Sequence, residues 1–596
     1  MLFLPAAGPR EPTFPWTCLQ DRFAWKVIFV QKRAFPPPGV RPFLRFGNEC
    51  GGHVRVLGVN AVFHDPAAAL VVDGVTVAAA EEERFTRRKH GKLPVPFSTW
   101  ELPEQAAAWC LRRAGLRPED LDAVAYSYDP SLAPALNGDP TAHAWEGLRT
   151  LYAQRAPRFL RSALPGLDPD IVRYVPHHIS HAASAALAAP FDGNCDVLVL
   201  DGRGERTSSL AGVYRDGQLE ILAAQPLPHS LGLLYEDATE HLGFMRSSDE
   251  YKVMALASYG TPRHLERLRA AVRADGGGYV VEPVPWESLA PHRDGRPLGD
   301  AEADLAASLQ TRLEEVELEL IHWLQGRTGG RRLALAGGVA LNCVANSRLW
   351  TAGPYDQIWV QPAAGDSGTA LGAALHVAQE AGDEVQPMGS AALGRAWSDE
   401  EIEACLREAG VRYERPRDVA EETARTLAAN GVVGWFQGAS EYGPRALGHR
   451  SLLANPADAD NLNRLNDIKG REQFRPVAPM VKATRADEIF AGPLPSPYML
   501  FVHVVGRDWR ERIPAVVHVD GTARVQTVDA EAEPLVSRML DAFERRTGLP
   551  VVVNTSFNTA GRPMVDHPRD ALECFGSTPI DLLAIGPFVL RRAEAA

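Results

Sequence analysis

Cysteine is scarce in this chain and poorly arranged for bonding. The seven cysteines, Cys18, Cys50, Cys110, Cys195, Cys343, Cys405 and Cys574, are odd in number and form no CxxC pair. That excludes a disulfide framework and a thiolate zinc site, and makes a reducing cytoplasm the expected compartment. No apolar run approaches the ~20 residues that cross a bilayer as a helix, so no membrane span is expected. Base is also in deficit: 62 Lys and Arg stand against 75 Asp and Glu, a formal charge of -13. This argues against nucleic acid or an anionic membrane as partner, while leaving room for a local basic pocket. Residues 1–54 lack periodicity altogether. They are rich in proline, as in RAFPPPGVRPF, and have neither a continuous apolar core nor a small-residue cleavage site, so a disordered extension or a misassigned upstream start is expected rather than a signal peptide.

What remains is ordinary globular sequence, 45% hydrophobic and 23% charged, long enough for about two to four domains. HHISH, residues 177–181, places His177 and His181 four apart, on one face of a helix, where two imidazoles can chelate one cation. A pair at this spacing is more often a packed or solvated face, and His178 between them is compatible with mere local composition. Two carboxylates strengthen the metal reading. The apolar run CDVLVLD, 195–201, reads as a buried strand with Asp201 at its tip, and Asp366 lies where the small-residue loop PAAGDSGTALGAA enters a helix. Two histidines and two carboxylates form a mixed nitrogen and oxygen set suited to iron or zinc.

Around these residues the chain repeats itself. The strand VRVLGVN, 54–60, leads to a hairpin turning at Asp73-Gly74, and CDVLVLD leads through a polar loop to a second hairpin turning at Asp216-Gly217. Two copies of strand, loop and DG hairpin predict an internal duplication of the actin-like kind, with helices expected over 102–116 and 303–329. After the strand RRLALA, the turn Gly337-Gly338 opens into a helix, a place where backbone N–H groups can approach a phosphate; a tight packing turn is the equal alternative. The texture changes near 385–400, a linker into a second α/β domain. There Arg445, Arg450, Lys469, Arg471, Arg475 and Arg524 lie in short loops beside apolar strands, a pattern suited to capture of a phosphate or carboxylate. VVVNTSFN, 551–558, adds a buried strand ending in amide and hydroxyl groups that can orient a small planar polar group.

In order, FHDPAAALV, EEERFTRRKHG, HHISHAASA, DGRGE, EYKVMALASYG, GGVALN, GDSGTALGAA, GPRALGHRS, KGREQFRP and VNTSFN closely resemble the O-carbamoyltransferases of the NodU/CmcH type, over residues 55 to 592. The resemblance implies an α/β protein in three parts: the extension 1–54, a duplicated actin-like, Kae1-like carbamoyl-transfer domain at 55–390, and a YrdC-like domain at 391–596 that forms carbamoyl-adenylate. It implies carbamoyl phosphate, ATP with Mg2+, and a hydroxyl-bearing small molecule as substrates, with one divalent metal, Fe2+ favoured over Zn2+, on His177, His181, Asp201 and Asp366. His64 is then the expected general base and Asp65 its orienting partner. Lys89, Gly337, Gly338, Val339 and Asn342 are expected at ATP or the adenylate, and Arg445, Lys469, Arg475, Arg524, Asn554 and Ser556 at carbamoyl phosphate. One departure stands out: the family commonly has arginine and methionine where this chain reads Ala439-Ser440, which removes a positive group beside the phosphate loop. No nucleic-acid or membrane partner is expected, and a homodimer is left open. The acceptor is expected to be a macrolide or other polyketide glycoside, in a pocket shaped by loops over 127–166 that are rich in Trp, Tyr, Phe and Leu. Rival expectations are a tRNA threonylcarbamoyl transferase, which the charge of -13 disfavours, and an inactive scaffold of the same fold.

Overall fold

The computed structural model describes residues 54–91, 101–133, 144–293 and 295–592. The extension expected over 1–54 lies outside them except for its last residue. Strands β1 (Arg55–Asn60), β2 (Ala67–Val72), β3 (Val75–Glu81), β4 (Ala123–Tyr126) and β5 (Val172–Tyr174) form one sheet in the order β3-β2-β1-β4-β5. Strands β6 (Cys195–Leu200), β7 (Thr207–Arg215) and β8 (Gln218–Pro226) are followed by a separate hairpin, β9 (Val272–Asp275) and β10 (Gly278–Val281). With β11 (Arg332–Ala336) and β12 (Gln357–Val360), β6 to β8 form a second sheet in the order β12-β11-β6-β7-β8. Both sheets pair an antiparallel three-strand meander with two parallel strands on the same side. This repeated order is the duplicated actin-like core. Both DG turns are present, with Asp73 and Asp216 in left-handed conformation at φ 54° and 48°, as a two-residue hairpin turn requires.

Two helices lie between these sheets. His177–Ala186 packs on β6 and β11, Ser367–Glu380 packs on β1 and β2, and the helices pack on each other. Small residues permit the close approach. A Cβ at Gly372 would run into the Ser180 carbonyl, and one at Gly58 into the Ala370 carbonyl. The approach brings HHISH opposite the N-terminus of the helix that begins after Asp366.

The second lobe is built on β13 (Val433–Phe436), β14 (Arg450–Ala454), β15 (Ala478–Lys482), β16 (Phe490–Ala491), β17 (His503–Val505), β18 (Thr522–Ala523), β19 (Gln526–Val528), β20 (Val551–Ser556), β21 (Leu582–Ile585) and β22 (Phe588–Arg591). Seven of them make a mixed sheet in the order β19-β15-β20-β14-β13-β21-β22, and β16 to β18 a small one. An apolar core running from Ile402 to Leu590 belongs to this lobe. The helices expected over 102–116 and 303–329 span Glu104–Arg113 and Asp300–Thr328.

One expectation is corrected. The segment 127–166 is not loop throughout: Ala144–Ala163 is helical, and 134–143 lie outside the described residues. Buried Ala153, Ala156 and Leu160 fall on one face of it. Pro157 lies inside this helix and has no N–H to give the Ala153 carbonyl. The Tyr174 hydroxyl donates to that carbonyl instead, at 2.9 Å, so the proline is tolerated.

The candidate functional site

His177 and His181 leave the first turns of their helix side by side, with ring centroids 4.7 Å apart. Their Nε2 atoms lie 3.3 and 3.8 Å from Asp201 Oδ2 and 3.6 and 3.5 Å from Asp366 Oδ1. Donors about 2.1 Å from a shared tetrahedral centre are about 3.4 Å from each other, so the spacing matches a coordination shell. Both Nε2 atoms are buried and have no hydrogen-bond partner, which is how a ligand lone pair is left. The tautomer of His177 is set from behind, by Nδ1–H facing the Ser127 carbonyl at 3.3 Å, and Asp201 is oriented by the Gly338 N–H, which donates to its Oδ1 at 3.0 Å; such outer contacts are usual at metal sites. Burial would raise Asp201, yet the surrounding histidines hold its carboxyl well below the usual range. Burial disfavours charge on His177, yet Asp201 and Asp366 raise it well above its usual value. The site therefore attracts positive charge, and its four donors fit one divalent ion. His178 Nε2 also lies 3.7 Å from Asp201 Oδ2, while its Nδ1 is held 2.7 Å from Thr207 Oγ1.

His64 and Asp65 stand near this cluster: Phe63, just before them, packs its ring edge-on to His177 at 5.1 Å. Asp65 bridges two imidazoles, with His64 Nδ1 2.9 Å from Oδ2 and His90 Nδ1 2.9 Å from Oδ1. Burial alone would raise Asp65, but the two histidines outweigh it and hold the carboxyl well below its usual value. His64 Nε2 meets the Ser247 carbonyl, so in this arrangement both ring nitrogens of His64 donate. Phe63, Asp65, His90 and Ser247 are all left-handed, at φ 69°, 43°, 60° and 56°. Strained backbone of this kind gathers at working sites.

The Gly337-Gly338 turn is held against β6, and a Cβ at Gly337 would strike the Leu200 carbonyl. Asn342 caps the following helix through Oδ1, 3.1 Å from the Ala345 N–H, and its amide group donates to Gln310 at 2.9 Å. Val339 packs partly buried on the lobe's core. Lys89 lies elsewhere, 5.9 Å from the Tyr251 ring, the ring that Arg475 also covers at 4.6 Å.

Tyr251 and Lys89 thus border the cationic pocket of the second lobe. Burial, then Arg524, lowers Arg445 to about 9, and burial, then Arg475 and Arg524, lowers Arg471 to about 9. Lys469 falls well below its usual value through burial and then Arg471 and Arg475. The Nε atoms of Arg445 and Arg524 are buried without partners. Lys469 Nζ reaches Ser556 Oγ at 2.9 Å and Asn558 Oδ1 at 2.6 Å, neither of them charged. Buried cations that repel one another are strongly unfavourable unless an anion joins them. Arg450 Nε is also buried without a partner, but its terminal nitrogens donate to the carbonyls of Gln437 at 2.7 Å and Arg395 at 2.9 Å, so its task is structural. At the family departure, Ser440 is buried and its backbone pairs with Arg395 and Gly394, both at 2.9 Å.

The two lobes are fastened beside both sites. Glu81 accepts from the Gly443 N–H at 2.6 Å, Arg84 donates to the Gly443 carbonyl at 2.9 Å, and Tyr442 donates to the carbonyl of Ser367, next to Asp366. Burial raises Glu81 to about 7 even with Arg84 beside it. The residues that the sequence reading passed over are His90, Tyr251, Asn558 and Gln526. His90 lies one residue from Lys89 and could have been considered; Tyr251 and Gln526 are far from their partners in sequence and carry no local signal.

Fold and site together define a two-lobed α/β protein that pairs a duplicated core carrying a buried His/Asp cluster with a domain carrying a buried cluster of Arg and Lys. The chain belongs to the carbamoyltransferase family: it matches the Carbamoyltransferase N-terminus over residues 55–281 and 286–375 and the Carbamoyltransferase C-terminus over 424–592. Nodulation protein NolNO of Sinorhizobium fredii is 38% identical over 90% of this chain and 80% of that protein. Nodulation protein U of Bradyrhizobium diazoefficiens is 31% identical over 85% of this chain and 93% of that protein. Among solved structures, HypF of T. kodakarensis overlaps 56% of this chain and 49% of that one at 17% identity, with a TM-score of 0.34, too low to carry an argument. Among the described residues no helix is long and apolar enough to cross a membrane.

Proposed function

We propose that this carbamoyltransferase takes its carbamoyl group from carbamoyl phosphate, activates it with ATP, and delivers it to a hydroxyl of a secondary metabolite. The observation that carries this reading is the pairing of two buried sites of opposite character, a cationic pocket short of an anion and a carboxylate-rich cluster short of a cation, on lobes fastened to each other.

In the cationic pocket, Arg445, Lys469, Arg475 and Arg524 hold the phosphate of carbamoyl phosphate and stabilise it as it leaves. Water completes that cleavage, giving phosphate and carbamate. A carbamate oxygen then attacks the α-phosphorus of ATP, which is bound with Mg2+, and pyrophosphate departs. Asn554 and Ser556 orient the carbamoyl group, and Lys89, at the border of the pocket, meets an ATP phosphate. Carbamate is short-lived in bulk water, so exclusion of solvent between the lobes is part of this account.

The adenylate is then received along the Gly337-Gly338 turn, with Val339 and Asn342 close to the adenosine. His177, His181, Asp201 and Asp366 hold one divalent cation, iron favoured over zinc, which when bound supplies positive charge to a phosphate and polarises a carbonyl. His64 removes the acceptor's proton as its oxygen attacks the carbamoyl carbon, and AMP leaves. For this His64 must first lose a proton and exchange the Ser247 carbonyl for the acceptor hydroxyl, while Asp65 keeps the ring in place. The helix Ala144–Ala163 supports an acceptor pocket at this end: the Arg149 guanidinium lies 4.7 Å over Phe63, and Leu148, Leu151 and Phe159 are exposed along it. Apolar surface of this kind favours a macrolide or other polyketide glycoside.

The test is to supply purified protein with carbamoyl phosphate, ATP and Mg2+, with and without a panel of macrolides and aminoglycosides. Pyrophosphate release that depends on carbamoyl phosphate, and a carbamoylated macrolide by mass spectrometry, are expected. No carbamoyl-phosphate-dependent pyrophosphate would refute the reading.

A further inference from the structure

Beneath the cationic pocket a chain of amides is locked in one orientation. Gln526 Nε2 donates to the Leu447 carbonyl at 2.7 Å. A carbonyl only accepts, so the amide nitrogen of Gln526 must face Leu447 and its oxygen must face the other way. That oxygen takes a hydrogen bond from Asn554 Nδ2 at 2.6 Å, and the second N–H of the same group goes to the Ala446 carbonyl at 3.0 Å. Both donors of Asn554 are thereby used. Its Oδ1 is buried and has no partner, and the side chain is 1% exposed. Asn554 and Ser556 are two apart on β20 and share a face of the sheet, and Ser556 is the residue that Lys469 grips. An unsatisfied acceptor therefore stands on the same face as the donors that line the pocket, and an unpaired buried acceptor is unfavourable until something donates to it.

We infer that Gln526 sets the donor specificity of this pocket, by holding Asn554 so that its carbonyl oxygen accepts from the amino group of carbamoyl phosphate. The inference rests on the proposed use of carbamoyl phosphate and goes beyond it. Arginines and a lysine recognise any acyl phosphate alike. Acetyl phosphate matches carbamoyl phosphate in size and charge, but its methyl group cannot donate and would leave Asn554 Oδ1 unpaired. Sites built around a substrate N–H reject analogues lacking it far more strongly than sites that merely measure shape. Gln526 itself is a positioning residue. Without it the Ala446 carbonyl is the one remaining main-chain anchor of the Asn554 amide, and the cost of turning the amide to present N–H to the substrate falls.

The experiment compares carbamoyl phosphate with acetyl phosphate in ATP-dependent pyrophosphate release, as a ratio of kcat/KM, in the full chain. The wild-type ratio is expected to exceed about 100. Gln526→Met, which keeps the side-chain length but neither hydrogen bond, is expected to lower the ratio by about 10-fold or more, and Gln526→Glu, which keeps the acceptor facing Asn554, to restore it in large part. Equal losses for both substrates in Gln526→Met, leaving the ratio unchanged, would assign the residue a purely structural role and overturn the inference. Should Gln526→Met not fold, the wild type decides: acetyl phosphate that competes with carbamoyl phosphate as well as carbamoyl phosphate binds overturns it, and weak competition sustains it. If the wild type consumes neither acyl phosphate, it is the carbamoyl phosphate reading that fails.

Discussion

The two lobes solve opposite electrostatic problems with the same device. In the first, Asp201 and Asp366 converge on imidazole nitrogens that have no hydrogen-bond partner; in the second, Arg445, Lys469, Arg471 and Arg524 converge, and the Nε atoms of Arg445 and Arg524 have no partner either. Each is buried and only partly neutralised by its own residues: His177 faces both carboxylates of the first, and in the second Glu472 meets Arg475 at 3.4 Å, while Arg445, Lys469, Arg471 and Arg524 have no carboxylate partner among the described residues. A protein that served only as a scaffold would gain from pairing these charges or replacing them with apolar side chains. Arg450, as deeply buried and likewise with an unpartnered Nε, differs in that its terminal nitrogens are taken by backbone carbonyls. Unpaired charge marks where a ligand belongs, and its sign tells which.

If the division between lobes is correct, damage to one should spare the other's half-reaction. The largest effect is expected at His64. His64→Ala should lower carbamoyl transfer about 10²–10⁴-fold, the usual worth of a positioned base, while leaving carbamoyl-phosphate-dependent pyrophosphate release intact; loss of both would merge the two sites into one. Arg475→Ala should do the reverse and lower pyrophosphate release about 10²–10³-fold, as loss of one donor to a departing anion does, measured by phosphate and pyrophosphate together. A smaller effect sharpens the comparison where the lobes meet. Glu81 is raised from 4.5 to about 7 by burial, so the folded protein holds a proton that the unfolded chain has shed between those values. Its contribution to stability is complete below about 4.5 and is lost as pH rises through about 7. Thermal melts should therefore show Glu81→Gln gaining on the wild type between pH 5 and pH 8; a difference that stays constant, or that shrinks, would contradict it.

Much of the first lobe's site could be read in the sequence because local pattern carries it. The spacing in HHISH, the apolar strand before Asp201 and the loop-to-helix step at Asp366 each place a donor at the end of an element, and the duplicated hairpins at Asp73-Gly74 and Asp216-Gly217 give the strand order that brings them together. The second lobe was legible in its charges and not in its connections. Nothing near Gln526 announces that it orients Asn554, because that contact follows from β19, β15 and β20 lying side by side. Asn342, expected at adenosine, also caps a helix through Oδ1, a contact that carries no signal in the local sequence. The helix Ala144–Ala163 was hidden by Pro157, whose lost hydrogen bond is made good by Tyr174, a partner outside the segment. His90 escaped attention within a run of basic residues, although Asp65 holds it just as it holds His64.

The most direct test of the account removes the cation and leaves everything else. Protein stripped of transition metal, with Mg2+ restored, should have lost its iron or zinc by elemental analysis, should still release pyrophosphate from ATP when given carbamoyl phosphate, and should form no carbamoylated product until metal is returned. Transfer that continues at full rate in the stripped protein, or pyrophosphate release that disappears with the metal, would contradict the assignment of opposite charges to separate steps.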